Sequence, residues 1–215
     1  TSISETTDDV SSDIKGAVVT LTAGGGKIAG SATVDTDTKG ALEITATSLD
    51  LSATSGAIKV TEADGVTLTD IDTATAGDIN ITVTTGDVTI TDVSASTHGT
   101  VTIAALEGAL NSTTDDGTAD VVGTTVTLSA DGDNKGIGAS SIIDIDADAL
   151  VLTTTSDGAD QSGVIQVDDV STDVTELTTV TTGDEATAGN IIFDKPSGAI
   201  TLGTMAAGGS SNDLG

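Results

Sequence analysis

Gly77-Asp78-Ile79-Asn80-Ile81-Thr82-Val83-Thr84-Thr85-Gly86-Asp87-Val88-Thr89-Ile90 contains one small pattern twice. A glycine and an acid are followed by aliphatic residues two positions apart, with Asn or Thr between them. Period-2 alternation after a turn residue is the signature of a half-buried strand. The two glycines are nine residues apart, too close for a helix and a strand between them. The pattern therefore predicts short strands joined by tight corners.

The same pattern recurs along the chain. Gly16-Ala17-Val18-Val19-Thr20-Leu21 approximates it. Gly56-Ala57-Ile58-Lys59-Val60 and Gly99-Thr100-Val101-Thr102-Ile103 fit it, as do Gly189-Asn190-Ile191-Ile192-Phe193 and Gly198-Ala199-Ile200-Thr201-Leu202. Residues 75–90 align without gaps on 187–202, an offset of 112. Ala74, Thr75, Ala76, Gly77, Ile79, Gly86 and Thr89 recur identically. The longer steps, Gly56 to Gly77, Gly77 to Gly99 and Gly99 to Gly123, set a unit of roughly 22 residues, and 112 is close to five such units. A unit this short is too small for a propeller blade and lacks the leucine-rich pattern. It suits one coil of a parallel β-helix, in which each strand stacks on its equivalent about 4.8 Å away. The expected fold is all-β: a parallel β-helix, or β-solenoid, of about ten coils of roughly 22 residues, forming a rod of roughly 45–50 Å.

Composition agrees. The 215 residues include 42 Thr, 28 Asp and 26 Gly, one Pro, one Phe, and no Trp, Tyr or Cys. Thr, Val and Ile favour a pleated surface over a helix, and Gly and Asp favour corners. The best helical candidate, Ile103-Ala104-Ala105-Leu106-Glu107, is cut short by Gly108. Disorder is the alternative suggested by a net charge of −28 and few aromatics. A mean hydropathy of +0.16 and recurrent Ile, Val and Leu argue for a core instead. Pro196, in Asp194-Lys195-Pro196-Ser197, reads as a corner, since proline would remove a ladder donor from a strand. The strict alternation of Ile142 to Ala149 places Ile143, Ile145, Ala147 and Ala149 inward and Asp144, Asp146 and Asp148 outward. Residues 113–117 and 132–138 read as loops. The chain divides into a polar amino-terminal segment or cap (1–13), the solenoid (14–203) and a flexible Gly/Ser-rich tail (204–215).

Several function classes are disfavoured. Six lysines and no arginine against 34 acids make nucleic acid an unfit partner. No apolar run approaches the ~18 residues of a membrane span, and the absence of Cys excludes disulfides and thiolate metal sites. An acid-rich, Thr-rich chain suits an extracellular or cell-surface setting, where salt relieves self-repulsion.

The repeated Gly-x-Ile-x-Ile and Gly-x-Val-x-Ile units, over roughly residues 16–202, resemble the coils of filamentous-haemagglutinin-type exoproteins and of large bacterial surface proteins built from β-strand repeats. The resemblance implies a right-handed β-helix, export, and a role as an adhesin stalk or filament. It carries no catalytic or binding residues.

Calcium is the best ligand expectation, because hard cations take several oxygens. Asp131-Gly132-Asp133-Asn134-Lys135-Gly136 begins like an EF-hand loop, but Lys135 holds the fifth position and Ile142 the twelfth. Asp144, Asp146 and Asp148 lie ~7 Å apart along one strand, too far apart for one ion unless a neighbouring coil contributes. The candidate calcium ligands are thus Asp131, Asp133, Asp144, Asp146 and Asp148, set against the simpler reading of solvated acidic faces. No other cofactor is expected. Asn80-Ile81-Thr82 and Asn111-Ser112-Thr113 make Asn80 and Asn111 glycosylation candidates. Gly24-x-Gly26-x-x-Ala29 mimics a dinucleotide loop, but the alternation of Ser31 to Asp37 follows where a helix is needed, so it reads as a corner. An enzyme is not expected. Charge-stabilising arginines and sugar-stacking aromatics are missing, no Gly-x-Ser-x-Gly elbow occurs, and His98 reads as an exposed turn residue. Thr-x-Thr pairs such as Thr100/Thr102 and Thr125/Thr127 raise ice binding, yet their spacing keeps no single register. The expected function is an extracellular structural one, a stalk or filament subunit that stacks head to tail on itself into fibres or carries an adhesin. The alternative is an adhesin module for surfaces, cell-surface glycans or ice.

Overall fold

The structure, a computed structural model, describes residues 2–5, 11–29, 40–75, 77–96, 98–155, 163–173, 175–182 and 189–207. No helix occurs among them. The strands are β1 (Ile14–Ala23), β2 (Leu42–Ala53), β3 (Ile58–Glu62), β4 (Val66–Thr73), β5 (Ile79–Val83), β6 (Val88–Ile90), β7 (Val93–Ser94) and β8 (Thr100–Ala105). They continue with β9 (Leu110–Ser112), β10 (Val121–Asp131), β11 (Ile143–Thr155), β12 (Ile165–Asp169), β13 (Thr175–Thr182), β14 (Ile191–Asp194) and β15 (Ile200–Ala207). Every pairing between them is parallel. All seven Gly-initiated segments become strands. The marginal helical segment begins within β8, because a strand position buries Ile103 and Ala105 in the stack, and its last two residues, Leu106 and Glu107, form the turn that follows.

Each turn has three faces. β3, β5, β8 and the second halves of β10 and β11 share the first. The start of β4, then β6, β9 and β12, build the second, and the end of β4, β7 and the starts of β10 and β11 build the third. On the first face one column runs Ile3, Ile28, Ile58, Ile79, Val101, Val126, Leu150, Leu177, Leu202. On the third, another runs Leu21, Leu51, Ile71, Val93, Val121, Ile145. Such columns are the core. Aliphatic residues fill a narrow interior between three close sheets, and the sole Phe, Phe193, only packs against its edge.

The parallel β-solenoid is as expected; the coil count is not. About six turns lie between Ile28 and Leu177, with the column running one level further at each end, instead of ten coils. The step from Ile58 to Ile79 is 21 residues, but that from Ile28 to Ile58 is 30. Insertions lengthen the turns without adding levels. One is the loop between β9 and β10; residues 30–39 and 156–162 lie outside the described residues. The alternating Ser31–Asp37 segment is among these, as are residues 1, 6–10 and 208–215 of the two proposed end segments. The 112-residue self-alignment is also out of phase with the coil. Ile79 stacks between Ile58 and Val101 on the first face, whereas Ile191 stacks on Ile165 on the second. The nine-residue glycine spacing marks one face-to-face corner, which different corners share.

Two contacts explain the corner composition. A Cβ on Gly77 would sit 2.4 Å from the carbonyl oxygen of Gly56 one turn earlier, and one on Gly99 would sit 2.3 Å from that of Gly77. Backbones there pass too closely for any side chain. Aspartates then tie consecutive turns. Asp78 Oδ1 accepts the Thr100 amide and hydroxyl, both at 2.9 Å, and Asp87 Oδ1 accepts the Ala109 amide at 2.9 Å. The short side chain of Asp reaches a backbone donor one level away, which accounts for its excess over Glu.

The ends of the stack differ from its middle. Leu177 is 2% exposed, but Leu202, one level further in the same column, is 65% exposed. Ile200 and Met205 are exposed as well, while Ile192 and Val18, in register with Gln166 and Ser48, are exposed because they face outward. Pro196 and Gly198, with φ of 88°, form the corner between β14 and β15, as expected.

Candidate functional site

The third-face column has a companion. Immediately before its members from Leu51 to Ile145 stand Asp50, Asp70, Asp92, Asp120 and Asp144, and Asp168 and Asp194 continue the row, one per turn over seven consecutive turns. Asp50 pairs with Asp70, Asp144 with Asp168, and Asp168 with Asp194 in register. The intermediate levels are joined by backbone bonds from Ile71 N to Asp92 O (3.0 Å), Val93 N to Asp120 O (2.8 Å) and Asp120 N to Asp144 O (2.8 Å). The result is a ladder of aspartates along the edge between the second and third faces. Strand spacing separates neighbours by about 4.8 Å. Like charges stacked this way oppose folding, by about 1 kcal/mol per pair in water and about 3 kcal/mol when partly buried.

The ladder is most deeply set at Asp120 and Asp144, which are 4% and 1% exposed. Asp120 is well satisfied. Its Oδ1 accepts the Ser112 hydroxyl at 2.9 Å and its Oδ2 the Asp144 amide at 2.9 Å. Asp144 is half satisfied. Its Oδ2 accepts the Gly117 amide at 2.9 Å, while its buried Oδ1 has no hydrogen-bond partner. Asp168 from the next turn and Asp115 from the exposed loop between β9 and β10 complete the group. One carboxylate oxygen from each of Asp115, Asp144 and Asp168 lies within 4.8 Å of the others.

Electrostatics follow the geometry. Burial pushes Asp120 up to about 6, against the hydrogen bonds from Asp144 and Ser112 and with the charges of Asp144 and Asp116 adding. Burial likewise raises Asp144, with the Gly117 and Asp116 amides opposing and the charges of Asp115 and Asp116 reinforcing. Asp168 is raised by burial and then by Asp194, Asp144 and Asp115. Asp70 and Asp92 are raised by burial and by ladder neighbours and Asp72.

Other charged groups resolve differently. Glu5, Asp13 and Glu43 cluster near the first turn; burial, then Asp13 and Glu43, push Glu5 up to about 8. Glu62 is fully buried within a first-face column, its two oxygens accepting the Ala46 amide at 2.8 Å and the Asp64 amide at 2.7 Å. Asp169 takes the column position after Ile145 and forms a buried ion pair with Lys195 at 2.9 Å. The Lys195 ammonium also donates to the Ser171 carbonyl and hydroxyl, and Asp169 accepts from the Ser171 amide and Thr175 hydroxyl.

The structure separates the five sequence-derived calcium candidates. Asp144 points outward with Asp168, between the inward Ile143 and Ile145, but it is buried because the preceding turn's loop folds over it. Asp131 Oδ1 accepts the Gly132 amide, Asp133 is exposed, and Lys135 of that loop pairs with Asp87 at 2.9 Å. Asp146 and Asp148 are exposed as expected, on an open cleft of about 320 Å³ shared with Ser96 and Asp173. Asn80 lies outward between Lys59 and Thr102, and Asn111 Oδ1 accepts the Ser140 amide. The Thr pairs do not make a uniform array: the outward row reads Lys59, Asn80, Thr102, Thr127, Val151. His98 is an exposed turn residue. Asp115 and Asp168 escaped the sequence reading. The available signal for Asp168 was an Asp recurring once per turn, blurred by unequal turn lengths; Asp115, in a loop, carries no such signal.

No protein-family model, curated protein or solved structure matches this chain.

Proposed function

We propose that this chain is a non-enzymatic structural module, an extracellular β-solenoid stalk or filament segment of the filamentous-haemagglutinin kind, whose copies stack head to tail. The observation that carries this reading is the open carboxy-terminal level of the core. Leu202 is 65% exposed where the equivalent Leu177 is 2% exposed, and Ile200 and Met205 widen the apolar surface. Such an end also presents strand edges with unpaired N–H and C=O groups. At the opposite end, among the described residues, β1 pairs with β2 alone. A second copy of the chain brings a complementary parallel edge, and a head-to-tail contact that does not close on itself propagates. The acidic faces keep neighbouring rods apart, which suits a cell-surface setting.

Negative-stain electron microscopy across protein and salt concentrations tests the reading. Filaments one solenoid wide, lost in Leu202→Glu, support it. Dispersed single particles under every condition contradict it.

A further inference from the structure

We propose that Asp115, Asp144 and Asp168 bind a divalent cation, calcium by its ligand chemistry, which neutralises the most deeply set part of the aspartate ladder. The proposal is independent of head-to-tail stacking.

Three observations meet here. The donor oxygens lie within 4.8 Å of one another; even at that limit a point between them is about 2.8 Å from each, so a small shift of the exposed Asp115 loop brings all three to the 2.3–2.6 Å of a calcium–oxygen bond. Asp144 is 1% exposed, and its Oδ1 has no partner although its Oδ2 is bonded to Gly117. Leaving a buried carboxylate oxygen bare is costly. The charges that raise Asp144 and Asp168 come from carboxylates: Asp115 and Asp116 for the first, Asp194, Asp144 and Asp115 for the second. Lys135 and Lys195 are engaged by Asp87 and Asp169. A mobile cation answers what no neighbouring side chain answers.

The ligand set selects among metals. All donors are carboxylate oxygens, and the chain has no Cys and only His98, so soft and borderline metals have no preferred ligand. Magnesium demands near-octahedral geometry at 2.0–2.1 Å. Calcium tolerates an uneven set drawn from two strands and a loop, completed by water. Asp115 is exposed and gives the ion its way in. Because a neighbouring turn and a loop supply the partners of Asp144, no spacing within one strand encodes the site.

The test is manganese-induced broadening of amide NMR signals in the full chain, followed by calcium displacement and by melting curves. Broadening centred on Gly117, Thr118, Asp144 and Asp168, reversed by calcium, is expected. Affinity is expected near 0.1–1 mM, and 10 mM CaCl₂ raises the melting midpoint by about 3–6 °C over NaCl of equal ionic strength. Asp115→Asn and Asp168→Asn should bind calcium at least tenfold more weakly and melt no lower than wild type in chelator, while Asp131→Asn/Asp133→Asn keeps the full response. Uniform broadening over the acidic surface, an equal response to NaCl, or an unchanged calcium response in Asp168→Asn overturns the proposal.

Discussion

At the scale of the residue, the chain places acids where most proteins avoid them. Glu62 sits inside a first-face column, and both its carboxylate oxygens accept backbone amides. Glu62→Ala removes both acceptors and should cost about 2–3 kcal/mol, read from chemical denaturation. The ladder makes a pH prediction. A carboxyl raised on folding holds its proton more tightly in the native state. Stability contributed by that proton is complete below the unfolded pKa and declines as pH rises through the folded one. With Asp120 pushed up to about 6 and Asp70, Asp92, Asp144 and Asp168 raised as well, the metal-free protein should melt higher near pH 4 than near pH 7. Asp120 alone contributes up to about 3 kcal/mol of that difference. Circular-dichroism melts in chelator at constant ionic strength check this; a midpoint rising from pH 4 to pH 7 contradicts it.

At the scale of the element, strands and corners were largely legible. Glycine followed by period-2 aliphatics locates seven strands, because a narrow core admits only such residues and close corners admit only glycine. Gly77→Ala, whose Cβ would meet the Gly56 carbonyl at 2.4 Å, should lose about 1–3 kcal/mol. Gly24→Ala, with nothing within 4 Å, should be neutral or gain a few tenths. The same side chain at two levels makes a second comparison: Leu177→Ala should cost about 2–4 kcal/mol, Leu202→Ala about 0.5 kcal/mol or less in the monomer. Equal losses at the two positions would place Leu202 in a closed core. What the local pattern hides is phase. Segments 75–90 and 187–202 look alike because each crosses one corner, yet Ile79 and Ile191 lie on different faces. Asp144 reads as an outward residue for the same reason: its burial depends on Asp115 and Gly117, about one turn away in the chain.

At the scale of the whole molecule, insertions determine length. Counting residues per unit overestimates the turns, since loops such as 113–119 add chain but no rise. Those loops are also where chemistry collects: the one between β9 and β10 brings Asp115 to Asp144 and Asp168. Stacking of aliphatic columns and stacking of aspartates are consequences of one geometry, a parallel ladder that puts each residue over its counterpart one turn back. Scalar couplings across hydrogen bonds in the isotopically labelled chain measure that register. The solenoid predicts couplings from the Ile58 amide to the Asp78 carbonyl, from Val88 to Ala109 and from Ile165 to Asn190, steps of 20 to 25 residues on two faces. Couplings between antiparallel neighbours, or amides at these positions exchanging within seconds, would contradict it.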